Sequence, residues 1–289
     1  MKNKYIILLT LVFVLSCSCS FTKDVLKTDE YISTETGNNI AKSLQFEGTY
    51  KNEKYVFLRL YDVFYNDDYQ VANILKAAIS VLGPAPDGLY YSHVAISCNL
   101  KDDFVGMTSG KDNNARHECL STPETNRYIN SNDPSKSRCT VIAIPCSEAD
   151  YENCKALIEY STMPGSKFYF GLTDFIGIVS TRASNIHKIK KTPLDNSSIK
   201  DTEPILTPEE EFASRCYCCS AFCSYILIHG IQRYKDYAEK LHLNYRGVTP
   251  ADLYSVQGAR PLFNCYYPNY DNALSEFIEQ YPEFAEYIK

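Results

Sequence analysis

Four cysteines crowd into eight positions, Cys216, Cys218, Cys219 and Cys223, and one of them is placed to act as a nucleophile. Phe222, Cys223, Ile226 and Leu227 recur three and four apart, which is the spacing of one helical face. Cys219 lies one turn before Phe222, so it falls at the start of that helix. A thiol there meets free backbone N–H groups and the positive end of the helix dipole. Both favour the thiolate, the nucleophilic form, and the expectation is a lowered pKa. Such a thiolate attacks the carbonyl carbon of an amide or ester. It needs a base, and the chain offers five histidines: His93, His117, His187, His229 and His242. His93 is the best placed. The segment from Tyr90 to Cys98 alternates, with Val94, Ile96 and Cys98 on one side and Tyr91, His93, Ala95 and Ser97 on the other. A strand holds an imidazole rigidly, as a general base requires. His187 sits in a Lys-rich stretch, His229 ends the cysteine helix, and His242 belongs to an amphipathic charged segment.

A third polar group is needed to orient the imidazole and set its tautomer. Candidates are Glu118, in Arg116-His117-Glu118-Cys119-Leu120, and the hydroxyls of Thr108 and Ser109.

Tyr91-Ser92-His93-Val94-Ala95-Ile96, followed much later by Cys219-Ser220-Ala221-Phe222-Cys223-Ser224-Tyr225-Ile226-Leu227, resembles a known group. It is similar to the circularly permuted NlpC-type, papain-like thiol hydrolases of the YiiX-like group. Those carry a strand of pattern Ser/Thr-His-Val-x-Ile and, downstream, a helix Cys-Ser-x-Phe-Val-x-x-Ile/Val-Leu. Here Cys219, Ser220, Phe222, Ile226 and Leu227 match, while Cys223 stands where the group has Val. The histidine precedes the cysteine, which is the permuted order. The resemblance covers roughly residues 54 to 256. It implies an α+β, permuted papain-like fold, with an antiparallel sheet packed against the helix that carries the nucleophile. It implies Cys219 and His93 as the catalytic pair, with Glu118 at the position of the short acidic piece that follows the histidine strand. Phe168-Tyr169-Phe170-Gly171-Leu172 resembles the aromatic piece that lines one side of the cleft in that group. Tyr169, and Tyr91 beside His93, are therefore candidate substrate contacts. The reaction implied is hydrolysis of an amide or ester through an acyl-enzyme, with a cell-wall peptide as the natural envelope substrate. Relatives of the fold include lipid acyltransferases, so a lipid ester or amide is a second substrate class. A third reading is an envelope lipoprotein that keeps the fold and only binds with its cleft.

The elements that must position these residues can be read in outline. The domain opens at Tyr55, Val56 to Phe64 reads as a strand, and residues 69–82 have helical spacing. Phe104 to Ser109 reads as a strand forming a hairpin with the His93 strand. Cys139 to Pro145 is a β-branched central strand. Ser147 to Tyr160 is a helix opened by the capping signature Ser147-Glu148-Ala149-Asp150. Residues 181–206 are polar and Lys-rich and read as an insertion loop, a lid or recognition segment beside the nucleophile. Ile231 to Leu243 is a charged helix, Thr249-Pro250 starts another, and Asp271 to Ile288 is a closing helix pair broken at Pro282.

The first residues read as an export signal. Lys2 and Lys4 precede an apolar run from Tyr5 to Leu15, too short for a comfortable membrane span. The run ends Val14-Leu15-Ser16-Cys17, which resembles the bacterial lipobox and makes Cys17 the candidate lipidated residue, with Cys19 as the alternative. The organisation expected is a signal peptide over 1–16, a polar tether over 17–50 and one hydrolase domain over 51–289. The protein would then sit in the cell envelope, anchored to the membrane by lipid, or be secreted if the signal is a plain one.

Composition limits the remaining classes. A hydrophobic fraction of 45% and a charged fraction of 22% are those of a globular protein. A net charge of −6, without a basic stripe interleaved by aromatics, argues against a nucleic-acid partner. Three of the crowded cysteines fall within four positions, unlike paired Cys-x-x-Cys zinc ligands, so buried thiols or disulfides are expected there and no metal. Twelve cysteines less Cys17 and Cys219 leave an even number, compatible with disulfides whose pairing the sequence does not give. No cofactor is expected, and the partners expected are a peptide, cell-wall or lipid substrate acting on a monomer.

Overall fold

In the computed structural model the described residues are 53–62, 85, 91–107, 115–118, 138–164, 166, 168–170, 215–240, 248–254, 256, 258–266 and 269–288. The signal segment, the tether, Cys17, the helix expected over 69–82, Thr108, Ser109 and the 181–206 loop lie outside them.

The scaffold is a six-stranded antiparallel sheet. Its strands are β1 (Lys54–Asp62), β2 (Tyr91–Ser97), β3 (Phe104–Met107), β4 (Ala115–Glu118), β5 (Arg138–Cys146) and β8 (Arg260–Tyr266), in the order β4-β3-β2-β1-β5-β8. Two short strands, β6 (Phe168–Phe170) and β7 (Arg215–Tyr217), pair in parallel apart from it. The helices are α1 (Glu148–Thr162), α2 (Cys219–Gly230), α3 (Gln232–Lys240), α4 (Pro250–Tyr254) and α5 (Tyr270–Gln280), followed by a 3-10 helix (Pro282–Ile288). The class is α+β, as the sequence led us to expect.

The central strand β1 explains the layering. Its side chains alternate between two buried faces. Val56, Leu58 and Leu60 join Phe222, Ile226 and Leu227 of α2 and Leu157 of α1 in one core. Tyr55, Phe57 and Tyr61 join Phe277, Phe284 and Tyr287 of the closing helices in a second. A strand buried on both faces reads as a continuous apolar run, which is what residues 55–61 show, apart from Arg59.

Helix α1 starts as its capping signature requires. The Asp150 amide donates to Ser147 Oγ at 3.2 Å, and the Ser147 amide to Asp150 Oδ2 at 3.5 Å. The other Asp150 oxygen accepts the Gln232 amide at 3.2 Å, so one carboxylate anchors the starts of α1 and α3. Helices α1 and α2 approach closely at Gly230. A Cβ there would lie 2.2 Å from Cys154 Sγ, so only glycine permits that crossing. Thr249 caps α4 as expected, with Pro250 in the first turn.

The expected apolar face of α2 is buried, and so is every other residue from Cys219 to Leu227, because the sheet, α1, α3 and α4 surround the helix. One expectation is corrected: β2 does not alternate evenly. The register passes from Tyr61↔His93 to Asp62↔Tyr91, so Ser92 is an extra residue and β2 bulges there. The bulge turns Tyr91 into the α2 core, while His93 faces Tyr61 in the other layer.

Candidate functional site

Cys219 is the first residue of α2, as its spacing implied. The first helical bond runs from the Phe222 amide to the Cys218 carbonyl, at 2.9 Å. The amides of Cys219, Ser220 and Ala221 precede it and carry the positive end of the helix dipole. The backbone amides of Val94 and Ser220 are turned toward the Cys219 sulfur and favour its ionised form. Val94 is the residue after His93. Its carbonyl is met by the Cys223 sulfhydryl at 3.7 Å. Both polar groups of Val94 are thus turned to thiols of α2, where the β2–β3 ladder narrows to the single pair Ile96↔Val105.

The thiolate expectation is corrected at this point. Burial pushes the Cys219 thiol above its ordinary value of 9.0, and the neighbouring Cys218 adds to the rise. The Val94 and Ser220 amides oppose it without reversing it, and the Glu118 charge raises it further. In the free protein Cys219 is a neutral thiol at pH 7.

His93 is fully buried, with its ring 5.2 Å from that of Tyr61. Its Nε2 lies 2.9 and 3.0 Å from the two carboxylate oxygens of Glu118. An ionised carboxylate only accepts, so Nε2 carries the proton and Nδ1 is the basic nitrogen. Glu118 is itself held from two sides. The Tyr61 hydroxyl donates to its Oε2 at 3.2 Å, and Arg59 Nη2 donates to its backbone carbonyl. Arg59 Nε donates to the Tyr61 hydroxyl at 2.8 Å, which turns that hydroxyl's proton toward Glu118. Arg59 is closed off by Asp102 at 2.5 Å and by the Phe104 ring at 4.5 Å.

The structure brings His93 and Glu118 into contact and brings Cys219 to the backbone beside His93. A direct bond between the sulfur and the ring is not among these contacts. His117 is on the surface, paired with Asp103 at 2.6 Å. His229 sits at the end of α2 with its ring 4.0 Å from that of Tyr225. Tyr91, the expected substrate contact, is turned inward. The bulge buries it to 1% exposure, its hydroxyl donates to Thr140 Oγ1 at 2.9 Å, and its ring stacks on Tyr254. Tyr169 lies in β6, and its side chain is outside the described residues.

The sequence reading missed Arg59, Tyr61 and Gly106. The signal for Arg59 was a lone charge within an apolar strand. Gly106 gave none beyond being a glycine inside a strand, which often marks a close approach. Here the approach is that of Glu118: a Cβ at position 106 would lie 2.2 Å from Oε1 and 2.6 Å from Cδ. Gly106→Ala is expected to expel the carboxylate from His93. If the carboxylate orients the base, turnover falls roughly 100-fold, within the range of a general acid–base contribution. The check is a comparison with Glu118→Ala: the two rates should coincide, and the double variant should be no slower.

No protein-family model, curated protein or solved structure matches the chain. Among the described residues no helix is long and apolar enough to cross a membrane.

Proposed function

We propose that this protein is a thiol hydrolase of the permuted papain-like kind, cleaving an amide or ester bond by an acyl-enzyme route. The observation that carries the reading is the buried His93–Glu118 pair, whose two oxygens both address Nε2, on the residue next to the one whose amide is turned toward the Cys219 sulfur. A carboxylate on one ring nitrogen makes the other the base, which is the arrangement of a nucleophile–base–orienter triad. Catalytic hydrogen bonds are often long before substrate is bound, and tighten in the complex.

In this reading His93 Nδ1 reaches the Cys219 sulfur through the gap where β2 and β3 part, and takes its proton as the sulfur attacks the carbonyl carbon. Glu118 stabilises the imidazolium through Nε2–H. Free amides at the start of α2 face the oxyanion of the tetrahedral intermediate. His93 then returns the proton to the leaving amine or alcohol, and water repeats the sequence on the thioester. The raised thiol fits a nucleophile that is neutral until its base removes the proton, rather than a standing thiolate. The substrate class proposed is a cell-wall peptide amide, with a lipid ester or amide as the alternative.

A second reading is a cleft that only binds, and the 4% exposure of Cys219 favours it. Incubation with p-nitrophenyl acetate separates the two. The hydrolase should release a burst of nitrophenolate and carry a transient acetyl group on Cys219, located by mass spectrometry. No adduct on Cys219, with nitrophenolate release equal to that of denatured protein, would sink the hydrolase reading.

We also propose that the mature protein is tethered to a membrane through lipid on Cys17. The charged start, the short apolar run and the Val-Leu-Ser-Cys ending support this. One acyl chain anchors only marginally, so stable attachment needs more than one. Labelled palmitate should enter wild type and be lost in Cys17→Ser. Label that survives Cys17→Ser but not Cys19→Ser moves the anchor, and unlabelled protein in the medium rules it out.

A further inference from the structure

Across the sheet one row of facing residues runs His93 on β2, Tyr61 on β1, Cys139 on β5 and Cys265 on β8. The last two are directly opposed in register, and their sulfurs are 3.6 Å apart. Opposed residues of an antiparallel pair have Cα atoms roughly 4.5–5.5 Å apart, inside the range that a disulfide spans. Both side chains are buried in the second core beneath the closing helices. The other cysteines whose side chains are described lie apart from this pair: Cys98, Cys146, Cys154, Cys218, Cys219 and Cys223 all belong to the α2 core.

We propose that Cys139 and Cys265 form a cross-strand disulfide that clasps the edge strand β8 to β5. The inference is independent of the hydrolase reading. The oxidant is a low-molecular-weight or protein disulfide. The Cys265 thiolate attacks one sulfur of that disulfide, giving a mixed disulfide and releasing one thiolate. Cys139 then loses its proton to solvent and attacks the Cys265 sulfur, forming the S–S bond and releasing the second thiolate. Two electrons and two protons leave the protein, and one external disulfide becomes two thiols. Cys265 is the first to react for two reasons. It lies on the edge strand β8, which is paired on one side only, so that local opening of this strand exposes its thiol first. The two sulfurs share a hydrogen bond in which either can donate, and that bond, with help from Arg59, lowers the Cys265 thiol against the effect of burial.

The clasp closes the chain between residues 139 and 265, including α1, α2 and the loop expected over 181–206. Constraining so long a loop is worth a rise in Tm of about 5–10 °C for a domain of this size. The experiment equilibrates the purified protein with oxidised glutathione, blocks remaining thiols in denaturant, and maps the peptides by mass spectrometry. The expected result is a linked Cys139–Cys265 peptide in wild type, with a Tm above that of the reduced protein. Cys265→Ser and Cys139→Ser should each lose the linked peptide and the redox dependence of Tm. Recovery of both cysteines blocked, bound only to glutathione, or joined to other cysteines overturns the proposal.

Discussion

His93→Ala and Cys219→Ala are each expected to abolish acyl turnover, by roughly 10⁴–10⁶-fold, and the double variant is expected to be no worse than either. The equality follows from the proposed mechanism. The sulfur is a neutral thiol whose ionisation is disfavoured by burial, so it attacks only as its proton is taken. Remove the base and the sulfur is inert; remove the sulfur and the base has nothing to activate. The pH dependence of alkylation has a definite sign. A thiol pushed above 9.0 is less ionised at pH 7 than an ordinary cysteine, so iodoacetamide should label Cys219 slowly near neutrality and faster as pH rises through 9 and beyond. Fast, selective labelling at mildly acidic pH would show a standing thiolate and contradict the burial argument. If His93→Ala stays active and His117→Ala does not, the base has been misassigned.

The second large effect is on stability. Arg59→Leu is expected to cost roughly 3–5 kcal/mol, the scale of breaking a buried ion pair from one side. Arg59 is 0% exposed, and its donors go to the Tyr61 hydroxyl, Asp102 and the Glu118 carbonyl. Leucine fills much of the space but removes the three hydrogen bonds that the guanidinium donates, two of them fully buried. At about 2–4 °C per kcal/mol for a domain of this size, Tm should fall by about 10 °C. Arg59→Lys should fall between the two, since an ammonium keeps the charge but cannot serve three acceptors in a plane. Urea midpoints and thermal melts of the three proteins are the measurement. A loss under about 1 kcal/mol would mean that the network relaxes or hydrates, contrary to its burial.

Local signals in the chain carried much of this arrangement. The start of α2 was legible because a helical apolar stripe marks its own first turn. The Ser147 and Thr249 capping sequences placed α1 and α4 because a cap is a contact between near neighbours in sequence. His93 stood out among five histidines because strand alternation is also local. The lost information was of another kind. The Ser92 bulge exists only relative to β1, so the alternation of β2 misplaced Tyr91. Strand β8 went unread because Arg260, Pro261 and Asn264 dilute its pattern; as an edge strand it is held by pairing with β5 rather than by two buried faces. The Arg59–Tyr61–Glu118 chain joins residues 57 to 59 positions apart, and spacing in sequence says nothing about such contacts. The thiolate expectation failed because it counted the dipole and the amides but not the cost of burying charge.

The way the second core is closed sets a timetable for making the protein. The Tyr55 amide donates to the Tyr287 hydroxyl, 232 residues further along, and the Leu100 amide to the Tyr287 carbonyl at 2.8 Å. The rings of Phe57 and Tyr287 meet edge to face at 4.9 Å. A ribosome that delivers residue 55 must therefore work for roughly 10–50 s before residue 287 exists to cover it. Through that interval one face of the central strand, with its aromatics and its buried arginine, has no lid. The nascent chain is then a natural client for chaperones until the closing helices have emerged.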